Sequence, residues 1–434
     1  MFQHFLRWKP FIENVKHWPI NWVYEKDDLN FTQCEDVLDS GLTRFHPSVI
    51  AFDTWKFDTL FGYPKRTINI EDRPDKYIIA SGVRTSPDQW AHPVNGKSLF
   101  DFLNTDYLTD LRNGRAMLLL DQSLEGYHTY NLWDWFHAEL NRLGIPEQAL
   151  IYVTGDLNCQ ENYKRWADAN NKLNRINLIG VSHFEQQIAR IARNQNLKKL
   201  TRQDYDYKAK NYDKIKTFNC LQKRSRVHRN WFFVRMFEAG ILDKGLVSTN
   251  DFGPIAGLLD GELLDPQRVS EARKYLPMRI KEENNTEKDD NFYITRIKYD
   301  VCLDSWVSVI SEAGFEDNKQ NCFISEKTFK AIACGHPFII LGNKGSLRRL
   351  RELGYKTFDG FIDESYDSLP SHERMLAIIQ ELKNIDAIPN KLAWYKGMKE
   401  IIKHNRRVLF EKEFQRPPES IEVIKYYNRY FAGK

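Results

Sequence analysis

The sequence predicts an α/β protein of two halves, each a largely parallel sheet covered by helices. Three observations predict it. Short continuous apolar runs alternate with helix-like segments from Tyr77 onward. A polar, charge-rich stretch from Asn196 to Lys216, without an apolar period, interrupts that alternation near the middle. The length of 434 residues suits two to four domains at roughly 100–200 residues each.

Taken in order, the segment before Tyr77 carries scattered Trp and Phe and few clean periods. Tyr77 to Gly82 is an apolar run ending in small residues, and Ala116 to Asp121 is a buried strand ending in a carboxylate. Tyr130 to Leu143 reads as a helix stopped by Gly144 and Pro146. Ala149 to Gly155 is a strand, Asn162 to Leu173 a helix, and Ile176 to Val181 a strand. Residues up to about 200 thus read as one doubly wound domain. After the polar connector, Thr217 to Leu221 is a strand, and Arg226 to Ala239 is a helix closed by Gly240. Gly245 to Ser248 is a strand, and Lys281 to Asp290 an exposed loop. Ser305 to Glu312 is a strand with a carboxylate at its end, Ser325 to Cys334 a helix, and Pro337 to Gly342 a strand. Ser346 to Leu353 is a helix ended by Gly354, and Lys391 to Lys412 a long basic helix.

Composition narrows the function classes. Hydrophobic residues are 42% and charged residues 28%, which excludes a wholly disordered chain. Lys and Arg number 63 against 59 Asp and Glu, and this +4 difference of two interspersed populations does not by itself identify a nucleic-acid binder. The aromatic share of 13% reads mostly as packed core rather than stacking surface. No apolar run reaches the ~18 residues of a membrane span. Residues Met1 to Pro10 lack signal-peptide features, so a cytoplasmic location is expected. Six scattered cysteines form no CxxC and no Cys/His cluster, so free thiols and no metal site are expected. Walker A, GxGxxG, HExxH and GxSxG patterns are absent from the sequence.

Four constellations bear on chemistry. Ser325 can cap its helix, and Glu326 suits the positive helix end. The same helix start offers N–H groups to an anion, with Glu326 able to bond ribose hydroxyls and Lys327 able to neutralise a phosphate. Gly342, Gly345 and Ser346 join a strand to a helix in a loop whose glycines let backbone N–H groups approach a phosphate, or simply make a turn. Lys223, Arg224, Arg226 and Arg229, with His228 among them, follow a strand and open a helix. At a strand's carboxyl end this density of cations reads as a diphosphate clamp. Asp121, Glu125 and His128, after an earlier strand, are candidates for a general base on an acceptor hydroxyl, or equally a capping and turn cluster.

The run Ser325-Glu326-Lys327, then Ala331 to Gly342, resembles the nucleotide-sugar segment of α1,3-fucosyltransferases. Ser305 to Glu312 resembles the strand and Glu preceding that segment, and Lys223 to Arg229 its phosphate-binding Arg region. The stretches Arg224 to Arg229, Ser325 to Ile339, Gly345 to Phe358 and Ile362 to Asp367 together resemble glycosyltransferase-like proteins of tailed bacteriophages and marine bacteria. The chain departs from the fucosyltransferase pattern at His336.

The resemblance implies a GT-B-like glycosyltransferase: two Rossmann-like domains facing across a cleft, with no metal needed for the donor. On that reading residues 1–205 form the acceptor domain and 206–390 the nucleotide-sugar domain, while 391–434 pack back across both. No cofactor is tightly bound; the donor is a UDP-, GDP- or CMP-linked sugar. Carried over, Glu326 contacts the ribose, Lys327 a phosphate, Arg226 and Arg229 the leaving diphosphate, and Glu312 lies near the sugar. Two acceptors compete. One is a hydroxymethylated base in phage DNA, with enzyme in the host cytoplasm; Lys396, Lys399, Lys403, Arg406 and Arg407 can track its phosphates, although on sequence alone they read first as a solvated helix face. The other is a surface glycan, as for a fucosyltransferase-like enzyme. A non-catalytic nucleotide-sugar-binding protein is the alternative of a different class.

Overall fold

The protein is described here from a computed structural model. It describes residues 22–23, 75–82, 100, 103, 105–123, 125–126, 132–195, 203–222, 224–254, 256–280, 297, 299–315, 317, 320–412 and 418–432. The chain forms two compact units, residues 1–183 with 416–434, and residues 184–415. The expected loop Lys281–Asp290 and the candidates Lys223 and His128 lie outside the described residues.

In chain order the first unit holds β1 (Trp22–Val23), β2 (Tyr77–Gly82), α1 (Thr105–Arg112), β3 (Ala116–Gln122), α2 (Leu132–Leu143), β4 (Leu150–Thr154), α3 (Cys159–Ala169) and β5 (Asn177–Gly180). The second holds α4 (Phe184–Asn194), α5 (Gln203–Lys210), β6 (Lys216–Leu221), α6 (Val227–Glu238), β7 (Gly245–Ser248), α7 (Pro266–Arg273), α8 (Tyr299–Leu303) and β8 (Ser305–Ser311). It continues with α9 (Glu326–Cys334), β9 (Phe338–Leu341), α10 (Ser346–Glu352), α11 (Ser371–Asp386), α12 (Lys391–Gly397) and α13 (Lys399–Lys412). The last helix, α14 (Pro418–Ala432), belongs to the first unit again.

Both sheets are parallel, as the continuous apolar strands require when both faces are covered. Among the described strands of the first unit the order is β1-β2-β3-β4-β5, without reversal. Alternate strand residues sort into two cores. Tyr77, Ile79, Leu118, Leu120, Leu150 and Tyr152 pack with Leu111 of α1, Phe136 of α2 and Tyr163 of α3. Ile78, Met117, Leu119, Ile151 and Val153 face the other way and pack with Val423, Tyr427 and Phe431 of α14. Among the described residues of this half, helices α1, α2 and α3 pack on one face of the sheet and α14 on the other. Arg429 of α14 reaches the Asn177 side chain at 2.7 Å, and the Tyr427 hydroxyl donates to the Lys76 carbonyl at 3.1 Å.

In the second unit the order is β7-β6-β8-β9. From β6 the chain goes to β7 on one side and then returns to β8 on the other, so the winding reverses between β6 and β8. Helices α4, α9 and α13 pack on one another. Gly335, with φ of 68°, ends α9, and a Cβ there would come within 3.2 Å of Arg406 and Ile402 of α13.

Three expectations change. The sequence placed the division at 205/206 in a polar connector, whereas the contacts place it at 183/184. The charged segment 203–210 is helical. Its Lys208 is fully buried, donating to the carbonyls of Cys302, Leu303 and Ser305, with its ammonium over the Trp306 and Tyr395 rings. A lysine stem counts as polar in a periodicity scan and here serves as core. The single helix expected over 391–412 is two, α12 and α13, meeting at Gly397 and Met398. A Cβ on Gly397 would come within 2.6 Å of the Phe361 ring, so the bend needs glycine for close approach.

Candidate functional site

In a parallel open sheet, ligands bind outside the carboxyl ends of the strands where the winding reverses, because adjoining loops diverge there and leave a crevice. In the second unit that point lies between the ends of β6 and β8. The loop after β6 carries Arg224 and Arg226 and opens α6; the loop after β8 begins with Glu312 and leads to Ser325 and α9. Two motifs some 90 residues apart are thereby joined.

Arg226 is the N-cap of α6, with extended backbone (φ −144°, ψ 151°) and no side-chain oxygen to offer the first N–H groups. It is exposed, and its guanidinium donates to the Ala313 carbonyl at 3.1 Å across the switch point. A cation at the positive end of a helix is unfavourable on its own. Arg224 and Ser225 beside it are also exposed.

Arg229 is different. It is 5% exposed. Its Nε donates to Ser311 Oγ at 3.2 Å, one terminal nitrogen to the Ser311 and Glu312 carbonyls at 3.0 Å each, and the other to the Arg224 carbonyl at 3.0 Å. Burial, with the neighbouring Arg226 charge, pulls its pKa down to about 10. It ties the β8 end to the β6 loop. His228 beside it donates Nε2–H to the Glu312 carbonyl at 3.1 Å and stacks on Phe315 with ring centroids 5.3 Å apart. Burial, then the Arg229 charge, lowers the His228 pKa to about 3, so the ring is neutral.

Glu312 is fully buried. Its Oε1 accepts from the Ser325 backbone N–H at 3.1 Å and from Thr328 Oγ1 at 2.7 Å, and its Oε2 from the Ser325 hydroxyl. The Ser325 Oγ in turn lies 3.4 Å from the Lys327 backbone nitrogen, as the predicted cap. The implied placement of Glu312 near a sugar is not what these bonds describe: the carboxylate latches the first turn of α9. Thr328, one turn beyond Ser325, is the partner the sequence reading passed over. Its spacing on the helix was the available signal.

Lys327 Nζ lies 3.0 Å from Ser325 Oγ, 3.6 Å from Glu326 Oε1 and 3.8 Å from Glu312 Oε2. For Glu326, burial pushes the carboxyl up, but Lys327 and Lys330 outweigh it and the pKa is lowered. Burial brings the Lys330 pKa down to about 8.

The glycine loop has a folding task. A Cβ on Gly342 would lie 2.9 Å from Ile340, 3.2 Å from Ser346 Oγ and 3.3 Å from Glu312 Cβ. Gly345 takes φ 79° and its N–H donates to the Asp367 carbonyl at 2.9 Å. Ser346 Oγ donates to the Asn343 carbonyl at 2.6 Å. The next N–H groups, of Leu347 and Arg348, donate to the Asp367 carboxylate at 3.0 and 3.2 Å. That carboxylate occupies the position an anion would take at this helix.

In the first unit Asp121 is fully buried, and its Oδ1 accepts from the Ser123 N–H at 2.8 Å. Glu125 is exposed, with its backbone carbonyl accepting from Gly155 N–H at 2.9 Å and Thr154 Oγ1 at 3.2 Å. The departure at His336 also has a physical reason. The ring is buried beneath the sheet, accepting from Ser308 Oγ and donating to the Ser305 carbonyl, both at 2.9 Å. Of the basic C-terminal residues, Lys403 and Arg407 pair with Glu400 and Glu411, and Arg406 is buried. Among the described residues no group of three or more His, Cys, Asp or Glu is arranged to hold a metal ion, and no helix is long and apolar enough to cross a membrane.

No family model matches the chain, and no curated protein matches its sequence. Among solved structures it is similar to the UDP-forming α,α-trehalose-phosphate synthase of Burkholderia vietnamiensis, at 13% identity over 83% of this chain and 74% of that one, with a TM-score of 0.43. The α,α-trehalose 6-phosphate synthase of Burkholderia multivorans gives 11% identity, 83% and 73% coverage and a TM-score of 0.42. A trehalose-6-phosphate synthase, OtsA, gives 10% identity, 91% and 84% coverage and 0.41. Likenesses this distant assign no residue its role; the α/β class rests on the two parallel sheets themselves.

Proposed function

We propose that the chain is a GT-B-type glycosyltransferase whose second unit holds a nucleotide-sugar donor at the β6–β8 switch point. The observation that carries this is the pair of cations at positive helix ends, Arg226 at the N-cap of α6 and Lys327 in the first turn of α9, on either side of that point. Each helix dipole opposes its own cation, and a bound dianion relieves both. In transfer, the bond from the sugar to the diphosphate breaks and charge grows on the departing oxygen. Arg226 and Lys327 counter that charge where it develops, which is the chemically necessary part of the reaction. Arg229 acts through the strand end it ties rather than by touching phosphate. Glu326, by the fucosyltransferase resemblance, takes the ribose.

On the acceptor side we assign the general base to Glu125, whose carboxylate is on an exposed loop at a strand end, in preference to the buried Asp121. The acceptor is a hydroxyl, either of a hydroxymethylated base in phage DNA or of a glycan. The test is a thermal-shift screen with UDP, GDP and CMP, followed by incubation with the labelled sugar form of the best binder and either modified DNA or oligosaccharides. Stabilisation by one nucleotide and transfer of label support the proposal. Binding without turnover on any acceptor or water favours a non-catalytic binding protein, and transfer to oligosaccharide alone removes the DNA version.

A further inference from the structure

The Lys327 ammonium sits among three oxygens of its own protein: Ser325 Oγ at 3.0 Å, Glu326 Oε1 at 3.6 Å and Glu312 Oε2 at 3.8 Å. Its side chain is 29% exposed, while that of Glu312 is fully buried. The Glu312 oxygens are already engaged by the Ser325 N–H, the Ser325 hydroxyl and the Thr328 hydroxyl. Glu312 therefore stays where it is, and the flexible four-carbon lysine stem is the part able to move.

We propose that Glu312 is a positioning residue that parks Lys327 in the ligand-free protein, so that a bound diphosphate draws the ammonium away from Glu312 and Glu326. This rests on the donor-site reading of the β6–β8 switch point. Parking solves a problem for a site that must be cationic only when filled. An unpaired lysine at the positive end of α9 is disfavoured while the site is empty, and a buried carboxylate beneath it compensates. The arrangement has a cost in affinity, because the ligand must break the Lys327–Glu312 attraction to use the lysine.

The test is calorimetric titration of the full chain with UDP and GDP, and with inorganic pyrophosphate as a ribose-free probe. Glu312→Gln is isosteric and keeps an acceptor for Ser325 N–H and Thr328 and a donor for Ser325 Oγ. It is expected to tighten diphosphate binding by about three- to tenfold, the range of a partly exposed ion pair. A residue that merely clamps the helix gives unchanged or weaker binding on this substitution, and that result overturns the proposal. In the Lys327→Met background the gain is expected to shrink to below about twofold, because no lysine is left to release. An equal gain there means bare repulsion by the carboxylate and also overturns it. Should Glu312→Gln unfold, Glu326→Gln removes the second parking carboxylate from a partly exposed position. Tighter pyrophosphate binding then supports parking, and unchanged or weaker binding refutes it. If the unaltered chain binds neither UDP nor GDP nor pyrophosphate, the donor-site reading itself fails. Binding by the unaltered chain without a gain in the variants sinks parking alone.

Discussion

Both sheets are parallel and both end their strands in polar loops, but they are wound differently. In the first unit β1 to β5 run in sequence order and α1 to α3 share one face; Asp121 bonds Ser123 in its own loop, and the Glu125 carbonyl accepts from Gly155 and Thr154 at the end of β4. In the second unit the order β7-β6-β8-β9 reverses between β6 and β8, and the helix that follows each of these strands starts with a cation, Arg226 or Lys327. The two units thus present different chemistry at their strand ends, carboxylates in the first and cations in the second. On the proposed reading the reversal is where the donor lies, and an anion bound there would relieve cations that oppose their own helix dipoles.

That contrast can be broken or sharpened by experiment. Phe136 is fully buried among Trp133, Trp135 and Tyr152. Phe136→Ala should cost about 3–5 kcal/mol in the unfolding of the first unit, read by denaturant titration, with nucleoside-diphosphate affinity unchanged. A loss of affinity would mean that the donor site is not confined to the second unit. Lys327→Ala should lower kcat/KM for transfer by about a hundredfold or more with little change in Tm. A fall below threefold would remove Lys327 from the transition state.

Acid should separate the units next. His228 and His336 in the second unit both have pKa values lowered to about 3, by burial first and then by Arg229 and Lys208 respectively. An unfolded histidine takes up its proton near its ordinary 6.5, so stability is complete above that pH and is lost progressively as pH falls toward 3. At pH 5 this amounts to about 2 kcal/mol per histidine. The first unit holds one described histidine with the same tendency, His137, lowered by burial and then by Lys172. Stability followed from pH 7 to 5 should therefore fall more in the second unit. Equal loss would show that those rings gain solvent on titration. Last, Lys403→Ala breaks only an exposed pair with Glu400 at 2.8 Å and should shift stability by less than about 0.5 kcal/mol.

The sequence made the strands around the site legible because each is a continuous apolar run closed by a polar residue. Ser305–Ser311 and Phe338–Leu341 fall within the segments expected. The Ser325 cap was readable for the same local reason. What it could not show was strand order. Nothing in β6 or β8 states that they are neighbours, so the meeting of Arg226 with the Glu312 loop had to come from the fold. Burial of charge misled as well. Arg229, Lys208 and Glu312 read as surface or ligand groups, and each is satisfied internally by carbonyls or hydroxyls. The division was misplaced because a charged segment reads as linker, although its Tyr205 and Lys208 pack against Tyr395.

Helix α14 has a consequence for synthesis. It is the last described helix, yet it packs on one face of the first sheet, over Ile78, Met117, Leu119, Ile151 and Val153. Translation proceeds from the N-terminus, so those strand residues are made long before Val423, Tyr427 and Phe431, with the second unit's elements in between. The first unit therefore gains Val423, Tyr427 and Phe431 only after the chain of the second has been made. A premature stop before α14 deprives Ile78, Met117, Leu119, Ile151 and Val153 of those three partners, and apolar surface of that kind is what chaperones hold.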